Sequence, residues 1–309
     1  MPQIQFGLVI PAAFPDAYGP ACLVRDAHHA LELVAGHFDS VWVVDHLQSG
    51  EDQRLEGFTT LTYLAALHPG FRFGNAVLCQ SFRNPALLAK MGATLQLLSG
   101  GRFILGLGAG CNEEEYRAYG YDFAPALDRV RQLEETIQII KALWSTQSAT
   151  FEGEYYRIRD AYCEPRPDPV PPLMLGAFRP KMLRLVAQHA DWWNVSSSGP
   201  RRYSRMAAEL ERACLEVGRS PSTIRRTWGG GLACAATRVM AEELAALRGS
   251  NTNDFDDFDF VGTPAEIAEQ MREFVKMGVD YFMLDAADFP RLNGLAMLIR
   301  EVLPALRAL

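Results

Sequence analysis

Short apolar runs alternate along this chain with longer stretches in which apolar positions recur at three- and four-residue steps. The runs predict strands buried on both faces, and the longer stretches predict amphipathic helices. In order, strands are expected at Gln5 to Ile10, Ser40 to Val44, Phe71 to Cys79, Arg102 to Leu107, Leu173 to Gly176, Asp191 to Val195, about Ile224 to Ala235, and Tyr281 to Asp285. Helices are expected at Cys22 to Val34, about Thr59 to Leu67, Pro85 to about Leu98, Leu127 to Trp144, about Pro180 to His189, Tyr203 to Val217, about Ala265 to Met277, and about Gly294 to Leu306. Local punctuation supports the bounds. Asn84-Pro85 opens one helix and Ser99-Gly100-Gly101 stops it, while Thr263 caps another with Pro264 in its first turn.

Eight strands alternating with helices predict a parallel sheet, and eight is the number that closes a (β/α)8 barrel. The chain is read as one domain, 1–309, with excursions at about 145–170 and 236–261. The first excursion holds a small hairpin near Thr150 to Ile158 and the proline-rich lead Pro165 to Pro172. The second, Ala241 to Phe260, contains an acidic aromatic run and is expected to be a mobile segment over one face. A doubly wound open sheet is the weaker alternative, because dinucleotide glycines should follow the first strand and Pro11-Ala12-Ala13 stands there.

In a barrel the chemistry sits at the carboxyl ends of the strands. Asp45-His46 is the first ionisable pair at such an end, and the fourth strand runs into Gly106-Leu107-Gly108-Ala109-Gly110, where missing side chains let backbone approach a planar or phosphorylated ligand. These ends carry no Ser-His-Asp set, H-E-x-x-H or Walker loop, so hydrolytic, zinc and phosphoryl-transfer chemistry lacks support and no metal site is expected. A bound organic cofactor would supply the missing reactivity.

Composition narrows the partners. The net charge of −7 with scattered Lys and Arg argues against nucleic acid and anionic membrane, leaving a small-molecule substrate. Six cysteines without paired spacing, and a start lacking a basic and apolar leader, point to a cytoplasmic protein with reduced thiols.

Linked strings carry a resemblance over nearly the whole chain: Gly74 with Val77, R-x-P-A-x-x-A-K within Arg83 to Lys90 with Asn84 between, T-L-x-x-L-S-G-G-R from Thr94 to Arg102, G-x-G-A-G from Gly106, and E-x-Y-x-x-Y-G ending at Gly120. To these are added Asp39 to Leu47, Phe151 to Tyr156, Ala190 to Asn194 and Val261 to Gln270. This pattern resembles the bacterial luciferase-like flavin and deazaflavin oxidoreductases, most of all the branch using coenzyme F420. The resemblance implies a hydride transfer between the deazaflavin and a small organic substrate. An FMN-dependent monooxygenase using oxygen is the alternative, and a cofactor-free barrel acting as a binding subunit is the third reading.

The resemblance also assigns residues. It implies a bulged third strand with a non-prolyl cis peptide at Ala76-Val77, against which the ring lies. Asp45 and His46 are expected by the reactive face, with His46 handling the proton, and Val77 and Cys79 behind the ring. Gly108, Ala109, Gly110 and Asn112 are expected at its other edge, and Gly176, Ala177, Phe178 and Arg179 around the ribityl phosphate. Glu113, Glu114 and Glu115 are read as acids favouring the positive end of a helix. Cys111 and Gly50 stand where the sugar-phosphate dehydrogenases of the family carry a glutamate and a tryptophan, which argues against a sugar phosphate as substrate. The family commonly pairs through helices flanking the early strands, so a homodimer is expected.

Overall fold

A computed structural model describes residues 3–14, 18–48, 50, 52–248 and 258–307. Its barrel strands are β1 (Gln5–Ile10), β2 (Ser40–Val43), β3 (Arg72–Asn75), β4 (Phe103–Gly108), β5 (Leu173–Gly176), β6 (Trp192–Ser196), β7 (Arg225–Cys234) and β8 (Val279–Ala286). Each pairs in parallel with the next, and β8 pairs with β1, so the barrel closes. Closure leaves no sheet edge open, and the connecting helices cover the outer face. They are α1 (Pro20–Val34), α2 (Gly57–Leu67), α3 (Pro85–Leu98), α4 (Glu113–Ala118), α5 (Ala126–Ser145), α6 (Pro180–His189), α7 (Pro200–Glu216), α8 (Arg238–Arg248) and α9 (Pro264–Lys276). A last helical stretch, Asn293–Met297 and Leu303–Arg307, is interrupted by a π turn at Leu298–Val302.

The barrel interior is filled by Trp42, Ile104, Met174, Trp192, Tyr281 and Met283. Trp42 fits only because its flanking strands give way: a Cβ on Gly7 of β1 would lie 2.3 Å from its Nε1, and one on Gly74 of β3 2.2 Å from its ring. Polar groups seal the amino end. Arg225 pairs with Asp280 at 2.9 Å and stacks over Trp192 and Tyr281, and the Tyr281 hydroxyl reaches Asp39 at 3.1 Å. The interior layer ends at the carboxyl face in partly buried Val9, Ala76 and Val77.

The third strand breaks after Asn75 and resumes at Leu78–Cys79, in keeping with the bulge that the resemblance implied, and two other features depart from the sequence reading. Residues 13–14 and 53–54 form a two-residue antiparallel ribbon between the loops after β1 and β2, where only a polar loop is expected. In the second excursion, α8 runs to Arg248 and Phe260–Gly262 adds a strand beside β7; residues 249–257, on which the expected mobile segment falls, lie outside the described residues. The hairpin is Ala149–Glu152 with Arg157–Ala161.

Candidate active site

The break in β3 sets the floor of the carboxyl face. Gly74 pairs with Ile104 and Leu78 with Leu107, so β3 advances four residues while β4 advances three, and the extra residue is a bulge. The Ala76-Val77 bond within it is cis. The glycines opposite make room for Val77: a Cβ on Gly108 would lie 2.7 Å from Val77 Cγ2, and one on Gly176 3.2 Å. Gly108 and Gly176 therefore let Val77 seat, and any opening for a ligand lies above Val77 rather than in place of their side chains.

Asp45 leaves β2 pointing into the protein. Its oxygens accept both terminal nitrogens of Arg83 at 2.7 and 2.8 Å and the Cys79 N–H at 2.9 Å, and its side chain is fully buried. Arg83 also reaches Glu56. Asp45 thus braces β2 against the bulge and the start of α3. These three hydrogen bonds hold the Asp45 carboxylate inside the protein, against the bulge.

His46, the next residue, turns the other way. Its side chain is 36% exposed, and its Nδ1 lies 3.1 Å from Oε2 of Glu115. Glu115 is buried, and its other oxygen accepts the N–H of Leu47 and, at 3.3 Å, that of Gln48. Burial alone would raise the Glu115 carboxyl, but the His46 hydrogen bond and the two N–H donors outweigh it and hold it below the usual range. Glu115 is therefore an ionised acid inside the protein, ordering the loop that carries His46. The sequence reading, which gave it only a helix-end role, missed it; the Asn112-x-x-Glu115 spacing of a capping box was the available signal. Asn112 does cap α4, accepting the Glu115 N–H at 3.4 Å, whereas Glu115 reaches across to the β2 loop instead of back to residue 112.

Cys79 faces inward. Its Sγ contacts the Tyr116 hydroxyl at 2.9 Å, which donates to Ser81 Oγ at 2.9 Å, and burial pushes the thiol up to about 11. Gly110 closes over this pair with φ +80°, and a Cβ there would lie 2.0 Å from the Tyr116 oxygen, so both conformation and space demand glycine. Ala109 and Gly110 stay half-buried at the rim, and Cys111 beside them is exposed.

After β5, the expected phosphate loop is only partly available. Ala177 is fully buried, its N–H donates to the Asn194 carbonyl at 3.1 Å, and its own carbonyl accepts from the Trp193 indole. Phe178 is half-buried, and exposed Arg179 precedes Pro180, where α6 starts without a side-chain cap among the described residues. Arg54, also absent from the sequence reading, stands on the short ribbon with a buried Nε that has no partner among the described residues and with Glu115 as an electrostatic neighbour.

With this geometry in hand, comparison with known proteins adds the following. The model of the family described as luciferase-like monooxygenase matches residues 4–259. An F420-dependent glucose-6-phosphate dehydrogenase of Kineococcus radiotolerans is 34% identical over 207 residues, 65% of this chain and 61% of that protein, so the chain spans less than two thirds of that relative's length. The enzyme of that name from Intrasporangium calvum is 27% identical with 96% and 98% covered. Among solved structures, an F420-dependent secondary alcohol dehydrogenase in complex with an F420-acetone adduct superposes with a TM-score of 0.84 over 98% of this chain and 99% of that one, at 20% identity, which is a likeness of fold.

Proposed function

Because the chain belongs to the luciferase-like monooxygenase family, we propose that it is a coenzyme F420-dependent oxidoreductase moving a hydride between the deazaflavin and a small alcohol or its carbonyl counterpart. The observation that carries this reading is the likeness, along almost the whole of both chains, to a dehydrogenase named for that cofactor. The FMN-dependent monooxygenase reading shares the family and the fold and stands as the alternative.

The residues present fit a planar tricyclic ring. Val9, Ala76 and Val77 form an apolar, partly open floor, and small residues from Gly108 to Gly110 leave the rim low. Gly176, Phe178 and Arg179 with the amino end of α6, which has no side-chain cap among the described residues, offer a glycine, an aromatic side chain, a cation and the positive end of a helix dipole suited to a phosphate. A bound deazaflavin supplies a carbon that accepts or returns a hydride, which no side chain does. His46, half-open at the end of β2, takes or gives the proton on the substrate oxygen, and no described residue hydrogen-bonds its Nε2. Asp45 acts at one remove by fixing the bulge. Cys111 and Gly50 stand where a sugar phosphate would be read, so a smaller or less polar substrate is favoured.

We read residues 1–309 as one barrel domain and the protein as a cytoplasmic homodimer. Exposed Tyr63 and Leu67 on α2 and Leu87 and Leu98 on α3 support pairing through these helices, and a sedimentation mass near twice 34.3 kDa is expected. Turnover tests the function: with oxidised F420 and a panel of simple secondary alcohols, cofactor reduction is expected without oxygen uptake. Oxygen consumption with reduced FMN and no reaction with F420 would overturn it.

A further inference from the structure

Glu115 carries more than the order of a loop. It is an ionised carboxylate with 2% exposure, and a carboxylate only accepts hydrogen bonds. One oxygen is taken by the N–H groups of Leu47 and Gln48, and the other lies 3.1 Å from His46 Nδ1. The ring nitrogen facing it must then carry hydrogen. The partner of one imidazole nitrogen sets which nitrogen is protonated, and neutral imidazole in water prefers its proton on Nε2, so this contact reverses the intrinsic preference.

We propose that Glu115 is a positioning residue that locks His46 as the Nδ1–H tautomer, so that Nε2 is the nitrogen exchanging a proton with the substrate oxygen. This rests on reading His46 as the proton carrier. In the oxidising direction the substrate O–H bond would break with its proton passing to Nε2, the O–H electron pair would form the C=O bond, and the carbon's hydride would pass to the carbon that a deazaflavin held over Val9, Ala76 and Val77 would supply. The imidazolium so formed keeps Nδ1–H on Glu115, whose negative charge balances it. Reduction of a carbonyl runs the same transfers backwards.

Glu115→Gln separates this role from a merely structural one. The amide oxygen satisfies the Leu47 and Gln48 N–H groups, so the amide nitrogen faces His46 and donates to Nδ1. The loop is kept, and the ring proton is driven to Nε2. Nitrogen-15 spectra of histidine-labelled protein at about pH 8, with the His46 signals identified by their loss in His46→Ala, are expected to show Nδ1–H in the parent and Nε2–H in Glu115→Gln. Turnover in Glu115→Gln is expected to fall by about two to four powers of ten, the range for losing a general acid or base, with KM within about threefold. A parent spectrum with the proton on Nε2 overturns the proposal even if the variant fails to fold. So does a variant that keeps the parent tautomer and turns over within about threefold. Absence of any F420 turnover in the parent counts against the proposed function alone, because the tautomer is read without cofactor.

Discussion

Replacing Arg83 by Met keeps most of the side-chain volume and removes the partner of Asp45. In the parent, the Asp45 side chain is fully buried and Arg83 is 9% exposed, with two contacts of 2.7 and 2.8 Å between them. Taking away one half leaves a charge inside the protein with a single N–H, that of Cys79, and breaking a buried pair this way costs about 3–5 kcal/mol. At about 2.1 cal/mol/K per residue, 309 residues give an unfolding entropy of about 0.65 kcal/mol/K, so a loss of about 4 kcal/mol lowers Tm by about 6 °C. Asp45→Asn in the same protein removes the stranded charge and keeps an acceptor for Cys79. The double variant is expected to recover about 2 kcal/mol relative to the sum of the single changes. Thermal melts followed by circular dichroism, with urea titrations for the free energies, measure both quantities. A Tm drop below about 1 °C in Arg83→Met, or simple additivity in the double variant, refutes the assignment of this pair as the brace of the β3 bulge.

The same frame gives other expectations. Gly108→Ala puts a Cβ 2.7 Å from Val77, whose branched side chain has little rotamer freedom, so it should cost about 1–3 kcal/mol and weaken F420 binding at least about tenfold; unchanged affinity would remove Val77 from the floor of the site. His46→Ala should cut turnover by about two to four powers of ten while leaving cofactor affinity nearly unchanged, and turnover within about threefold would end its proton role. Glu115 and Glu56 are both held below the usual glutamate value of 4.5, by hydrogen bonds that outweigh burial. Groups lowered in the folded state stabilise it above the unfolded value and lose that contribution as pH falls through the folded one. Stability should therefore decline as pH drops below about 4.5, with a shallower slope in Glu115→Gln, measured by denaturant titration across that range.

The barrel was legible because its signals are local. The α3 bounds Pro85–Leu98 stand where Asn84-Pro85 and Ser99-Gly100-Gly101 put them, and β5 matches Leu173 to Gly176 to the residue. The bulge was not legible from periodicity, since an apolar run from Phe71 to Cys79 reads the same with or without an extra residue; only the family resemblance pointed to Ala76-Val77. The ribbon at 13–14 and 53–54 is too short to show a period. At the site, His46 was singled out because it follows a strand, but its partner lies 69 residues away among three consecutive glutamates that look alike locally. Packing makes the difference: Glu113 pairs with Arg117 on the surface, whereas Glu115 is beside buried Tyr116 and points inward. Asp45 and Arg83 are separated by 38 residues, and nothing local marks them as one unit.

Cofactor choice is the point on which the account turns, and parallel fluorescence titrations of the purified protein with F420 and with FMN measure it directly. F420 is expected to saturate one site per chain with a Kd in the micromolar range or below, about −8 kcal/mol or better, and FMN to bind at least about tenfold more weakly. Saturation by FMN with no response to F420 would contradict the account in favour of a flavin monooxygenase, and no response to either would leave a barrel without a cofactor.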